Sequence, residues 1–293
     1  MEAAAQPNSK EANSLIMPEW LGILIAFTYG TVVGSFLNVC IWRLPRDESI
    51  IKPGSHCPSC NQLLRAWDLI PLFSFLIQRC RCRYCGAKIT WRYFGVELLT
   101  GLYFVLVLHS FGWTIDALAY ALFGASLIAI FFIDLEHWII PDQLSLFGIG
   151  LGISRDVIGL IGGSRSFVWI PIPWLHRVLP MPQSVLGAVV YGASLLLIAI
   201  VGYYVFKKDA MGGGDIKLAA AIGANLAISQ AMLSFFLAAF LGSIIGIGLM
   251  VAGRKKRLDP LQFGPMMVAG TILTIFFGHQ IVSMWWNYVL AGS

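Results

Sequence analysis

The chain has 293 residues, of which 58% are hydrophobic and only 12% charged. A soluble domain carries about a quarter charged residues, so this composition excludes an ordinary soluble protein. The apolar residues form long blocks rather than amphipathic stripes, which predicts an all-α polytopic membrane protein.

The apolar blocks predict about eight membrane spans. Residues 1–19 are polar and lack a basic leader region, and no small-residue cleavage site follows the first block. We therefore expect the first span to be a retained anchor rather than a signal peptide. The sixth block is short for a full crossing of about 20 residues. The predicted spans are residues 20–42, 94–111, 114–133, 143–162, 184–206, 216–228, 230–252 and 263–290.

Basic residues set the predicted orientation. Sixteen of the twenty lie in or beside three polar segments, namely residues 43–92, 207–217 and 254–257. With eight spans these segments share one side, which the positive-inside rule makes cytoplasmic. Both termini and residues 163–183, whose Trp and Pro residues predict an interfacial loop, then lie outside. Insertion topology explains the net charge of +5, so no nucleic-acid partner is needed.

Five of the six cysteines lie in the first cytoplasmic loop. Cys57, Cys60, Cys82 and Cys85 form two C-x2-C pairs separated by 21 residues. Two such pairs complete a tetrahedral structural zinc site, whose metal would supply much of the folding free energy of the loop. The alternatives are disulfides, which a reducing cytoplasm disfavours, and inert thiols. The C-x-C spacing of Cys80 and Cys82 fits a zinc-binding turn less well than C-x2-C. Cys40 lies in the first apolar block, where we expect it to be a small buried hydrophobic residue.

Acidic residues follow the third apolar block without a polar spacer. Asp134 comes directly after it, and Asp142 follows Pro141 at the start of the next predicted helix. Asp142 has a simple structural interpretation, because an acid near a helix N-terminus interacts favourably with the helix dipole. Glu136 and His137 are interpreted as solvated, although the pKa of histidine would also suit a proton carrier.

Asp215 lies in the stretch Met211-Gly-Gly-Gly-Asp-Ile-Lys-Leu218. The three glycines allow close backbone approach before an apolar helix resumes. Two structural or binding alternatives exist: Asp215 as an N-cap, and a phosphate-binding loop that uses Lys217. The spacing does not match a P-loop, and Asp215 would repel phosphate.

The predicted topology places Asp134 and Asp215 at one membrane face, although 81 positions separate them. Ionisable groups in a membrane are functional candidates, and we predict that each is the partner of the other. Two adjacent carboxylates share one proton, so that one member can activate water and the other can protonate a peptide. The sequence therefore predicts peptide hydrolysis without a nucleophilic Ser or Cys.

Several motifs in this order resemble the prepilin peptidases, the leader peptidase/N-methyltransferases of type IV pilus and type II secretion systems, which belong to the GxGD membrane aspartyl proteases. The resemblance covers about residues 30–275. It rests on residues 34–45 (GSFLNVCIWRLP), the two cysteine pairs, residues 92–101 (RYFGVELLTG), residues 134–142 (DLEHWIIPD), residues 211–218 (MGGGDIKL) and residues 263–265 (FGP).

The resemblance implies that Asp134 and Asp215 are catalytic, with Gly212, Gly214, Lys217 and Asp142 in supporting or substrate-binding positions. It implies a prepilin or pseudopilin substrate with a short basic leader, cut at the cytoplasmic face of the bacterial inner membrane. The acids Asp142 and Glu136 could attract that leader by charge. The domain organisation expected is an anchor in residues 1–42, a zinc-binding loop in residues 43–92 and a peptidase domain in residues 93–293.

The family also methylates the new N-terminus with S-adenosylmethionine, an activity attributed to the cysteine loop. The chain departs from the family pattern at Cys80, where Gly is usual, and at Leu69 and Phe94. A peptidase without methylation is therefore one alternative. A transporter or channel with a zinc-stabilised module is another, since paired membrane acids and Gly-broken helices also occur there. A non-catalytic scaffold would leave the two aspartates without a function.

Overall fold

The computed structural model describes residues 18–164, 167–172, 177–207, 211–254 and 261–291. These residues form nine α-helices and one antiparallel hairpin of two strands. The helices are α1 (Glu19–Arg43), α2 (Phe73–Ile77), α3 (Trp91–Phe111), α4 (Ile115–His137), α5 (Asp142–Ile161), α6 (Gln183–Phe206), α7 (Gly213–Asn225), α8 (Ile228–Val251) and α9 (Gly264–Ala291). The chain divides into two compact units, Met1–Ala121 and Leu122–Ser293, and the division falls within α4.

Within the described residues, seven helices are long and apolar enough to cross a membrane: α1, α3, α4, α5, α6, α8 and α9. This confirms the predicted all-α polytopic fold. Of the eight predicted spans, only residues 216–228 have no counterpart among these seven helices of the described chain. That segment is α7, whose 13 residues reach only about 20 Å, against a hydrocarbon core of about 30 Å. Its apolar residues are buried by protein, with Leu218 and Ile222 fully inaccessible.

In the first unit, α1 and α3 pack at backbone distance. A Cβ atom placed on Gly30 would lie 2.8 Å from Cα of Gly101, so neither helix has room for a side chain at this crossing. Near the end where α3 begins, Asn38 Nδ2 donates to the carbonyl of Tyr93 at 3.0 Å. The chain then leaves α1 through buried Arg43, whose guanidinium donates to the carbonyls of Ser49 and Gly54.

In the second unit, α7 packs against both α5 and α6, and both contacts use small residues. Cβ atoms placed on Gly187 of α6 or on Gly152 of α5 would overlap the carbonyl oxygens of Gly223 and Ala224. Main chain therefore meets main chain on both sides of α7. This close approach holds the short helix inside the unit.

Polar side chains fix the far end of α7. The guanidinium of Arg155 donates to the carbonyl of Asn225, the last residue of the helix, at 2.8 Å. The Asn225 amide in turn donates to Gly148 at 2.7 Å. Next to Arg155, the Asp156 carboxylate accepts from the backbone N–H of Ser184, in the first turn of α6, at 2.7 Å. Cation and anion thus satisfy opposite helix ends, as the helix dipole favours.

The segment predicted as an outer interfacial loop contains the hairpin, β1 (Val168–Ile172) paired with β2 (Arg177–Met181). Sequence reasoning missed these strands because their prolines favour irregular structure. Trp169 is 63% exposed. Some residues used above lie outside the described ranges: 1–17, Pro173, Trp174, Lys208 and the basic residues 255–257.

We expect Gly187→Ala to destabilise the protein, because its methyl group would meet the carbonyl of Gly223 in a contact with no spare room. Overpacking of this kind costs about 1–3 kcal/mol. Thermal unfolding in detergent, followed by tryptophan fluorescence, measures the change. Gly150→Ala is the matched control, because no atom lies within 4 Å of the added methyl group. Equal unfolding midpoints for the two variants would contradict this account of the packing.

Candidate active site and candidate metal centre

Asp134 lies in the last turn of α4 and is 6% exposed. Its carboxylate accepts a hydrogen bond from the backbone N–H of Gly264, the first residue of α9. That N–H has no partner within its own helix, so a carboxylate is a favourable acceptor there. A Cβ atom on Gly264 would lie 2.5 Å from Asp134 Oδ2. The glycine therefore makes the approach possible.

Asp215 lies in the first turn of α7, three residues after the N-cap. The N-cap is Gly212, so the alternative in which Asp215 itself caps the helix is wrong. Asp215 Oδ2 instead accepts from the backbone N–H of Gly212 at 3.2 Å. Burial raises the pKa of the Asp215 carboxyl above its ordinary value, and the Gly212 hydrogen bond opposes this only in part.

The ends of three helices meet around the two acids. The carboxyl of Asp215 lies close enough to Asp134 for its charge to act on it. Ile140, in the turn between α4 and α5, lies against two of the helix starts. A Cβ atom on Gly214 would be 2.9 Å from Ile140 Cβ, and one on Gly264 would be 3.2 Å from Ile140 Cδ1. The structure thus brings Asp134, Gly212, Gly214 and Asp215 together within the second unit.

Asp142 and Lys217 form an ion pair beside this point. Lys217 Nζ lies 2.7 Å from each carboxylate oxygen of Asp142, and both side chains are about half exposed. The pair connects the first turns of α5 and α7. Exposed pairs contribute about 0–1 kcal/mol, so its effect is mainly on geometry. Asp142 lies in the first turn of its helix, as the sequence predicted, and its carboxylate is paired with Lys217 within the protein. Glu136 is exposed and lies 3.9 Å from His137.

Gln262 is a residue of the site that sequence reasoning missed. Its Nε2 donates to the carbonyl of Asp134 at 2.6 Å and to that of Leu135 at 3.3 Å. It therefore holds the C-terminal end of α4, where the carbonyl of Asp134 also accepts from the backbone N–H of Trp138 at 2.9 Å. Its only sequence signal was its place immediately before the Phe263-Gly264-Pro265 motif.

The four predicted zinc ligands come together in the first unit. The Sγ atoms of Cys57, Cys60, Cys82 and Cys85 all lie within 4.8 Å of one another. Four sulfurs at 2.3 Å from one ion are about 3.8 Å apart, and Cys57 Sγ lies 3.9 Å from Cys85 Sγ. This set fits a tetrahedral thiolate site. All six cysteines are free thiols, and the separation is far beyond a disulfide bond.

Each cysteine pair lies in a tight turn. The N–H of Asn61 donates to the carbonyl of Cys57, and that of Gly86 donates to the carbonyl of Cys82, each within 2.9 Å. Cys80 is not in the sulfur cluster, and its backbone has φ of 60°. Cys40 is buried in α1.

Asp68 holds the loop around these turns, and sequence reasoning missed it. Its carboxylate accepts from four donors: the N–H of Arg65, Gln78 Nε2, the Tyr84 hydroxyl and Arg83 Nε. Tyr84 and Arg83 belong to the second cysteine turn. Asp68 therefore ties the segment before α2 to the Cys82–Cys85 turn.

Two regions of the chain match known protein families. The bacterial peptidase A24 N-terminal domain matches residues 28–111, and the type IV leader peptidase family matches residues 121–247. Relatives that match most of this chain carry the name prepilin leader peptidase/N-methyltransferase. The Myxococcus xanthus protein is 37% identical over 80% of this chain and 66% of its own length. The Neisseria gonorrhoeae protein is 36% identical over 85% and 88%, and the Bacillus subtilis protein 29% over 89% and 96%.

No solved structure gave a significant match. The matched family regions lie along most of the chain, and the Neisseria relative is covered over nearly all of its length. The chain therefore belongs to the type IV leader peptidase family and is a polytopic membrane peptidase of that family.

Proposed function

We propose that this protein removes the leader peptide of prepilins or pseudopilins with the aspartate pair Asp134 and Asp215, and then N-methylates the new N-terminus. One observation carries the peptidase part: the buried carboxylate of Asp134 and the half-buried carboxylate of Asp215, 81 positions apart, come within electrostatic reach at the meeting of three helix ends. The relatives indicate the substrate class, because proteins that match 80% and 85% of this chain carry the name prepilin leader peptidase/N-methyltransferase.

The pair would work by sharing one proton. Two like charges so close cannot both ionise cheaply, so one carboxyl is ionised while the other is protonated, and the titration belongs to the pair. The ionised carboxylate takes a proton from a water molecule while the oxygen of that water attacks the scissile carbonyl carbon. The protonated member donates to the carbonyl oxygen. Collapse of the diol then transfers a proton to the departing nitrogen, which releases leader and mature chain.

The surrounding groups fix where each carboxylate points. Gly264 donates to Asp134 and Gly212 donates to Asp215 through backbone N–H groups, which cannot move independently of their helices. Gln262 holds the carbonyl of Asp134 itself. The Lys217–Asp142 ion pair keeps the starts of α5 and α7 together. We propose these as positioning residues, because none of them supplies a proton to the reaction.

The site would face the cytoplasm of a bacterium, on the inner membrane. The loop of residues 43–92 carries nine Lys or Arg residues and three acids, the charge pattern of a cytoplasmic segment. We propose that residues 1–42 anchor the chain, that residues 43–92 carry the metal and the methylation function, and that residues 93–293 carry peptidase activity. Exposed Glu136 would contribute negative charge for a basic leader.

Zinc would be the structural metal of the loop. Its thiolates come from Cys57, Cys60, Cys82 and Cys85, whose sulfur separations match the ion. When bound, it would stabilise a loop with few large buried apolar residues, of which Phe75 is one. S-adenosylmethionine would supply the methyl group that the α-amine of the mature chain accepts. The family name of the relatives supports this activity.

A transporter is the competing function, because paired acids and glycine-broken helices also occur in transporters. Family membership and the meeting of both acids at helix ends favour the peptidase. A peptidase without methylation remains the alternative within the family, because Cys80 departs from its pattern.

We expect Asp215→Asn and Asp134→Asn each to lower cleavage of a prepilin peptide by at least about 1,000-fold, since an amide cannot share the proton. Purified protein, a synthetic prepilin peptide and mass spectrometry measure the cut. Asp116→Asn, the same change at the other end of α4, is the matched control and should retain activity. Normal cleavage by a folded Asp215→Asn protein would refute the pair.

We expect one zinc ion per chain, bound by the four-cysteine cluster. Cys82→Ser should lose the metal, because it removes a thiolate from the tetrahedral set. Cys80→Ser, two residues away, should keep it. Elemental analysis of purified protein gives the stoichiometry. Metal loss from the Cys80 variant with retention by the Cys82 variant would show that the ligand set is wrong.

We expect the mature pilin produced by this enzyme to carry one methyl group on its N-terminal amine when S-adenosylmethionine is present. The intact mass of the product, measured with and without the methyl donor, distinguishes a peptidase that also methylates from a peptidase that lacks methylation. A cleaved but unmethylated product in the presence of the donor would assign the chain to peptidases that lack methylation.

A further inference from the structure

The short helix α2 presents an apolar face that the described residues do not cover. Phe73, Leu76 and Ile77 are 67%, 55% and 74% exposed, and their spacing places them on one side of the helix. On the opposite side, Phe75 is buried against the rings of Trp91 and Phe94, at centroid distances of 5.1 and 5.5 Å. The helix is thus attached to the first turn of α3 by one side chain, and three others point outward.

A hydrogen bond indicates how deep this helix lies. The backbone N–H of Leu72, the residue before α2, donates to Glu97 Oε2 at 2.8 Å. Glu97 is the seventh residue of α3, about 9 Å along the axis from its start at Trp91. Because α3 is long and apolar enough to cross a membrane, this bond places the start of α2 beside the N-terminal third of a candidate span rather than beyond its end.

The charges near α2 suit a negatively charged surface. Arg79 and Arg81 follow the helix directly, and both are exposed. The three acids of residues 43–92 cannot offset the nine bases, and one of them, Asp68, is already bound by Arg83. Exposed Trp67 also lies on this loop, and tryptophan favours the boundary between lipid and water.

We propose that residues 70–77 form an interfacial element that lies in the leaflet on the loop's side of the membrane. The side chains of Phe73, Leu76 and Ile77 enter the acyl boundary of the lipid, and Arg79 and Arg81 contact the phosphates of anionic headgroups. An amphipathic segment with arginines at its edge binds such a surface through apolar burial and charge together. The proposal rests on the membrane-spanning assignment of α3 and does not depend on the catalytic roles.

Photocrosslinking of the full-length chain in vesicles tests the placement. A diazirine amino acid replaces Leu76 in one variant and Leu63 in the matched control. Leu63 is also a leucine of the loop and is 59% exposed, but it lies in the hairpin of the first cysteine turn. The vesicles contain phosphatidylethanolamine and phosphatidylglycerol, and mass spectrometry counts lipid adducts. We expect roughly tenfold more lipid adduct at position 76 than at position 63.

Equal lipid adducts at the two positions would overturn the proposal, as would adducts at position 76 that join only to protein. Metal content of both variants checks that the loop is folded, and a third variant at Ile77 repeats the test if the Leu76 variant loses metal. For the headgroup contact, phosphatidylglycerol should be enriched among the adducts above its share in the vesicle. The double variant Arg79→Gln, Arg81→Gln should abolish that enrichment while total lipid adduct stays. Enrichment that persists without the two arginines would refute their role.

Discussion

The placement of Asp215 depends on the backbone-to-backbone packing of α7. A helix of 13 residues cannot rely on lipid for its position, so protein must hold both its sides and both its ends. Glycines of α5 and α6 let the neighbouring main chains approach its sides. At its start, Asp215 itself accepts from Gly212, and at its end Arg155 donates to Asn225. Because the helix is rigid, a shift of its C-terminal end at Asn225 would also move Asp215 in its first turn.

The second aspartate is placed by a different device, the junction between one helix end and another helix start. Asp134 ends α4, and the first N–H of α9 binds its carboxylate. The Gln262 amide occupies the carbonyl of the same residue, so both the backbone and the side chain of Asp134 are held by the segment that opens α9. Three helix ends therefore place the two acids, the end of α4 and the start of α9 for Asp134 and the start of α7 for Asp215. Ile140 packs against the starts of α7 and α9. Such a site is sensitive to the residues at which these helices begin and end and to the short segments that join them.

The sequence predicted the parts of this fold that depend on composition and short-range spacing, namely the membrane class, most spans and the four cysteine ligands. It misread α7 because an apolar segment buried by protein has the same composition as one that faces lipid. Gln262, Arg155 and Asp68 were missed for another reason. Their partners lie 128, 70 and up to 16 positions away, and each is a single polar residue with no local pattern. Only the three-dimensional structure supplies such pairings.

Cys80 shows how a departure from a family pattern can keep the local geometry. Its φ of 60° is a left-handed conformation, which glycine adopts freely and other residues adopt at a cost of about 1–2 kcal/mol. The backbone of Cys80 is fully used there: its N–H donates to Phe75 at 3.0 Å, and its carbonyl accepts from Ile89 at 2.8 Å. These bonds turn the chain from α2 back to the second cysteine pair. Residue 80 therefore contributes to the fold through its backbone hydrogen bonds rather than its side chain. This explains why a cysteine is tolerated at this position although it is not one of the four clustered cysteines.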